Sequence, residues 1–262
     1  MAIDYALALD CPPQATLGLE RLIALHRTRI LARTALAARR EAGDDRAPAE
    51  IEVQLTLRKP EGDAARGASL QDLLDESAPL DALAAHCERC PAGLPRAFAC
   101  HRRIRYPIPE HVEAWLMARL PRTLACTAGA LLARGLRELG WDGGPAAQLR
   151  AAGTTYFESR APYGVRWQTD DGPLEISSDQ VFQMMFMVGT LAPTHCLMLV
   201  LFCGLLPHDL PLHALKDDAS RARALAAVEL PAEADPDIEQ LAAFLRTLAT
   251  AARLDVPVVV DG

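Results

Sequence analysis

The feature that most constrains the fold is the run from Val181 to Leu206, the most apolar stretch in 262 residues, cut by Gly189-Thr190 and again by Pro193-Thr194-His195. A membrane-spanning helix needs about 20 mostly apolar residues in one unbroken run. Proline removes a backbone donor and clashes with the preceding turn, and a histidine near mid-bilayer is costly, so a transmembrane reading of 181–206 is disfavoured. The run is expected to form two helices, near 179–188 and 194–206, buried on most sides. Half of the residues are hydrophobic, enough for a substantial core in one large domain or two small ones.

The rest of the chain supplies elements to cover those helices. Ile3 to Leu9 reads as a short strand stopped by Pro12-Pro13, because proline cannot donate to a ladder. A long helix follows from about Thr16 to Ala42, with Leu19, Leu22, Ile23, His26 and Ile30 on one face and Arg39-Arg40 at its negative end. Glu50 to Arg58 alternates polar and apolar residues strictly, which predicts a half-buried strand. Strand, helix and strand together suggest a split β-α-β unit on one sheet. After a polar loop at 61–68, Ser69 and Asp72 form a capping box, and a further short helix from Pro79 delivers the chain to His86 and Cys87.

His101 to Pro109 is expected to be extended, since each proline biases its predecessor away from helix. Helices are predicted over 110–119 and 128–139, and strands over 154–159 and 164–169. The latter turns through Asp170-Asp171-Gly172-Pro173 into Leu174-Glu175-Ile176 as a hairpin or meander. Ser177, Ser178 or Asp179 caps the next helix. An amphipathic helix over 235–254 and a terminal strand over 256–260 complete the chain. The expected class is α+β: a small mixed sheet with a long N-terminal helix, a central zinc-knuckle lobe, and a C-terminal hairpin packed on buried helices. Gly143-Gly144-Pro145 marks the expected boundary between regions 1–142 and 143–262.

Cys87-Glu88-Arg89-Cys90 carries the clearest chemistry. A C-x-x-C loop can aim two sulfurs at one tetrahedral ion, and Pro91, Gly93 and Pro95 are turn formers where a zinc knuckle needs them. Cys100 offers a third thiolate, and Cys11, at the end of the first strand, is the expected fourth metal ligand; His101 and His86 are the local alternatives. Four protein ligands would make the zinc structural, whereas three plus water would make it catalytic. The same four thiols could hold an iron-sulfur cluster, but without the tight ferredoxin run zinc is preferred. A redox dithiol is disfavoured, because Cys87 follows a helix end where a low thiol pKa calls for a helix start. Seven cysteines cannot all pair. The first residues lack a charged region leading into an apolar run, so a reducing, cytoplasmic setting is expected.

A net charge of -7 argues against a nucleic-acid partner. Between Cys87 and Leu139, however, nine arginines face four acids. Arg102, Arg103 and Arg105 alternate with Ile104 in the extended segment, and their guanidinium forks suit carboxylates and phosphates. The plainer reading is a solvated basic face paired with the chain's own acids. Adjacent helical residues point about 100° apart, so His195 and Cys196 do not form a base and nucleophile, and Cys196 and Cys203 read as core. No phosphate-binding, nucleophile-elbow or zinc-protease motif occurs. The expected function is therefore a zinc-stabilised binding or regulatory protein whose arginine-rich lobe engages an acidic protein or anionic small molecule, without membrane insertion. A metal-dependent enzyme with an open zinc position is the alternative, and iron-sulfur or thiol redox chemistry the third; no catalytic residue is assigned.

Overall fold

The run from Val181 to Leu206 folds as two helices bridged by a two-residue strand, in a computed structural model that describes residues 2–57, 64–94, 96–169 and 172–261. The chain is α+β. Its first half comprises β1 (Ala2–Leu7), α1 (Pro12–Leu17), α2 (Leu19–Glu41), β2 (Glu52–Leu57), β3 (Ala64–Ser69), α3 (Leu70–Ser77), α4 (Pro79–Ala84), β4 (His101–Arg105), α5 (Glu110–Met117) and α6 (Thr127–Glu138). The second comprises α7 (Gly144–Ala151), β5 (Gly164–Thr169), β6 (Gly172–Ser177), α8 (Ser178–Phe186), β7 (Thr190–Leu191), α9 (Pro193–Phe202), α10 (Leu212–Lys216), α11 (Asp218–Ala226), α12 (Pro236–Leu254) and β8 (Val258–Asp261). Two compact units result: Leu9–Ala99, and Met1–Ala8 together with Cys100–Gly262. This differs from a division at 142/143. Gly143, left-handed at φ 79°, is the residue before α7 and lies inside the second of these units.

In the Leu9–Ala99 unit, Gly18 at φ 75° breaks the expected long helix into α1 and α2. The face of α2 serves two small cores. Ala32 joins Ile51, Leu70 and Leu73, while Leu22 and Leu25 join Leu80 and Phe98. Between them Arg29 is buried, its Nη2 donating to the Ser77 carbonyl at 2.6 Å and pairing with Asp81 at 3.0 Å. The Ser69–Asp72 capping box forms as its spacing predicts, with the Asp72 N–H donating to Ser69 Oγ at 3.1 Å. β2 pairs antiparallel with β3, which occupies residues whose composition reads as loop. Because β1 belongs to another sheet, the split β-α-β arrangement does not form.

The larger unit is built on a four-stranded sheet in the order β4-β1-β8-β7. Every pairing in it is antiparallel, so it is not the mixed sheet expected. The β-branched run Val258-Val259-Val260 does add a strand, and it lies in the sheet interior. Residues opposite each other in an antiparallel pair share a face. Ile3, Tyr5 and Leu7 therefore share one with Ile104, Val258 and Val260, and this apolar face meets α12. There the Tyr5 ring stands edge-on to Phe244 at 4.9 Å, and a chain of rings runs from Phe244 through Phe186 and Phe182 to Phe157. The hairpin β5-β6 forms as its alternation predicts, and Ser177 caps α8. Residues 154–159, expected as a strand, contribute one parallel bridge between Phe157 and Ile108. The Asp170-Asp171 turn, Pro95 and residues 61–63 lie outside the described residues. No helix among the described residues is long and apolar enough to cross a membrane.

Cys196 and Cys203 are both buried, and burial pushes each thiol up to about 12. In the unfolded chain they ionise near about 8.5. The folded state thus holds their protons over a wider range, and this contribution is complete below about pH 8.5 and lost as pH rises through 12. The urea midpoint is expected to fall across that window. A Cys196→Ala/Cys203→Ala double variant should show a shallower fall, and an unchanged slope would exclude these thiols as its source.

Candidate functional site

The C-x-x-C loop is shaped by short-range turns. After α4 the chain tightens into a 3-10 turn over Ala85–Arg89, where the Cys90 N–H donates to the Cys87 carbonyl at 3.1 Å and the Gly93 N–H to the Cys90 carbonyl at 2.9 Å. Phe98 then adopts φ 58°, rare for a bulky residue. Its ring packs with Leu22, Leu25 and Leu80, and its N–H donates to Cys87 Sγ at 3.5 Å.

Cys11, the residue before α1, is part of the same unit. Burial raises its thiol, and the charges of Cys90 and Cys87 raise it further. Cys87 and Cys90 are therefore near enough to act electrostatically on Cys11. Among the described residues no three Cys, His, Asp or Glu side chains stand together closely enough to hold an ion, so a metal would have to draw these thiols inward. His86 is exposed beside Cys87. Cys100 belongs to the larger unit, is buried, and accepts from the Leu7 N–H through its carbonyl at 3.0 Å.

The arginines of β4 separate by register. Arg102 lies opposite Tyr5 on the apolar face of the sheet. His101, Arg103 and Arg105 lie on the other face, opposite Ala6, Asp4 and Ala2 of β1. Arg105 is largely exposed, with Nη2 3.4 Å from Asp237 Oδ1. His101 is buried and its Nε2 is hydrogen-bonded to Asp4 Oδ1 at 2.8 Å. Arg103 comes within 3.7 Å of the same oxygen through Nε, an ion pair too long for a hydrogen bond. No acceptor among the described residues reaches Arg103 Nε or Nη2, although both atoms are buried. Unmet buried donors cost on the order of 1–3 kcal/mol each, while the side chain as a whole remains 26% exposed.

A third cluster is one that no motif in the sequence announces. Arg150 of α7 donates Nη1 and Nη2 to the two oxygens of Glu113 on α5, at 3.0 and 2.7 Å, and Nε and Nη2 to Asp179 Oδ1 on α8, at 3.0 and 2.6 Å. Ser178 Oγ donates to Glu113 at 2.7 Å, and the guanidinium covers the Phe157 ring at 4.1 Å. All four polar residues are buried. A faint signal exists in α5, where Glu113 falls with Leu116 and Met117 at core-facing spacing. An acid on that face demands an internal cation. The donors of this cluster are spent on its own carboxylates, which suits a clamp between helices.

Compared with known proteins, the chain matches no family model, no curated protein and no solved structure.

Proposed function

We propose that the chain is a zinc-stabilised binding protein that takes an anionic ligand, a small molecule or an acidic segment of a partner protein, at the arginine of β4. The observation that carries the reading is Arg103, a cation whose side chain is 26% exposed and whose Nε stays 3.7 Å from Asp4 Oδ1, so that its charge is only loosely paired there. An anion at the exposed part of this side chain would gain charge-assisted bonds. At matched ionic strength, acetate or phosphate is expected to raise the melting temperature above its value in chloride, because a ligand of the native state alone stabilises it. Arg103→Gln should abolish that difference; a rise that persists in the variant places the anion elsewhere.

Zinc is proposed at Cys11, Cys87 and Cys90, with His86 as the fourth candidate ligand of the same unit. The electrostatic effect of Cys87 and Cys90 on Cys11, and the tight turn that keeps those two cysteines on one loop, support it. Elemental analysis should find about one zinc per chain, lost in Cys11→Ser and in Cys90→Ser. A chelator should lower the melting temperature of the wild type and leave both variants unmoved. A wild-type melting curve indifferent to chelator would remove the metal from the proposal without touching Arg103.

A further inference from the structure

We propose that the segment 140–143, between α6 and α7, is an acid-released flap, held shut by its Trp141 ring stacked on His195 of α9. The two rings lie 5.6 Å apart between centroids and 21° from parallel. A left-handed glycine stands at each end of the flap, Gly140 at φ 65° and Gly143 at φ 79°, where the chain can turn without strain. Behind the ring, Gly135 of α6 makes room for the indole, since a Cβ there would stand 3.1 Å from it. Two glutamines of α8 also fasten the flap. Gln180 Nε2 donates to the Trp141 carbonyl at 2.7 Å, and the Gly143 N–H donates to Gln183 Oε1 at 2.7 Å. Neither glutamine titrates, so His195 is the group through which pH reaches the flap.

Protonation is costly at this ring. An imidazolium donates from both nitrogens, and His195 Nε2 is buried with no hydrogen-bond partner among the described residues. The indole face attracts a cation weakly, less than a buried donor without an acceptor costs. Burial accordingly holds His195 below its ordinary value near 6.5. Charged neighbours do not offset this. α9 carries none, and the buried face of α12 is uncharged. Asp142, next to Trp141, is exposed and accepts from the Gly144 N–H at 2.8 Å, while Asp179 of α8 is bound to Arg150 at 2.6 Å. Arg134 and Glu138 of α6 pair with each other at 2.9 Å, and the adjacent Cys196 thiol stays protonated. The closed flap therefore holds a neutral His195. Its stability is complete above about pH 6.5 and falls as pH drops below that, because the open form takes up the proton at the ordinary value.

The test follows the indole N–H resonances of the 15N-labelled full chain from about pH 8 to about pH 5, each assigned by its loss in a Trp→Phe variant. Trp141 is expected to move to the position of a solvent-exposed indole with a midpoint below about pH 6.5. Trp167, whose Nε1 donates to the Pro121 carbonyl at 3.0 Å, should stay in place. His195→Phe keeps a ring against the indole without the charge and should hold Trp141 fixed across the whole range. In the wild type the His195 Cε1–H resonance should titrate at the same midpoint as Trp141, a readout that needs no variant at position 195. A Trp141 resonance that moves alike in the wild type and in His195→Phe, or that stays fixed in the wild type, would overturn the flap. So would separate midpoints for His195 and Trp141, or Trp167 moving together with Trp141, which is unfolding of the whole unit.

Discussion

Replacing Arg150 by methionine is expected to lower stability by about 3–5 kcal/mol, seen as a large drop in the urea midpoint. The size follows from what the substitution leaves behind. Glu113 and Asp179 are both buried, and Arg150 supplies four of the hydrogen-bond contacts that make their charges tolerable. Removing the cation strands two carboxylates in a low-dielectric setting, where an uncompensated charge costs far more than the intact cluster contributes. Arg150→Met/Glu113→Gln/Asp179→Asn, which removes all three charges, should recover much of the loss. A single variant that loses less than about 1 kcal/mol would mean that water reaches these groups.

Phe244→Ala is expected to cost about 3–5 kcal/mol, the range for deleting a fully buried aromatic ring. Phe244 joins two parts of the larger unit, meeting Tyr5 of β1 edge-on at 4.9 Å and Phe186 of α8 at 4.7 Å. Tyr5 is next to Asp4 in the strand, so loosening the apolar face should also broaden the Arg103 Nε–H resonance on the opposite face. Leu212→Ala, at a side chain about half exposed, is the control and should change stability by less than about 0.5 kcal/mol. Equal losses in the two variants would show that the ring chain is not the core of this unit.

Elements with strong local signals are legible in the sequence alone. The strand Glu52–Leu57 within the 50–58 alternation, the Ser69 box, the 164–177 hairpin, the two helices cut from the apolar run and the terminal valines are all read from nearest neighbours along the chain, where backbone preference decides. Pairing across distance is not legible. Nothing in Glu52–Leu57 says that it takes Ala64–Ser69 as its partner in place of β1, because Ala64-Ala65-Arg66-Gly67-Ala68 has no strand periodicity and forms a strand only as the other half of a hairpin. The site shows the same limit. Residue types and spacing point to Arg102, Arg103 and Arg105 together and to the C-x-x-C pair, but which arginine meets which residue of β1 depends on register, and the Arg150 cluster joins residues 29 and 37 positions away.

The sheet order places β8 directly between β1 and β7, so residues 4 to 7 find their central partners at 258 to 261. On a ribosome, β1 must therefore wait for β8 to emerge before its ladder can close, while the contiguous 9–99 unit has all of its own residues available much earlier. Contacts of such long sequence separation fold slowly, and a synthesis pause after residue 99 would find all residues of the 9–99 unit made and β1 still unpaired. Quality-control factors that recognise exposed apolar strands would have Ile3, Tyr5 and Leu7 to hold throughout that interval.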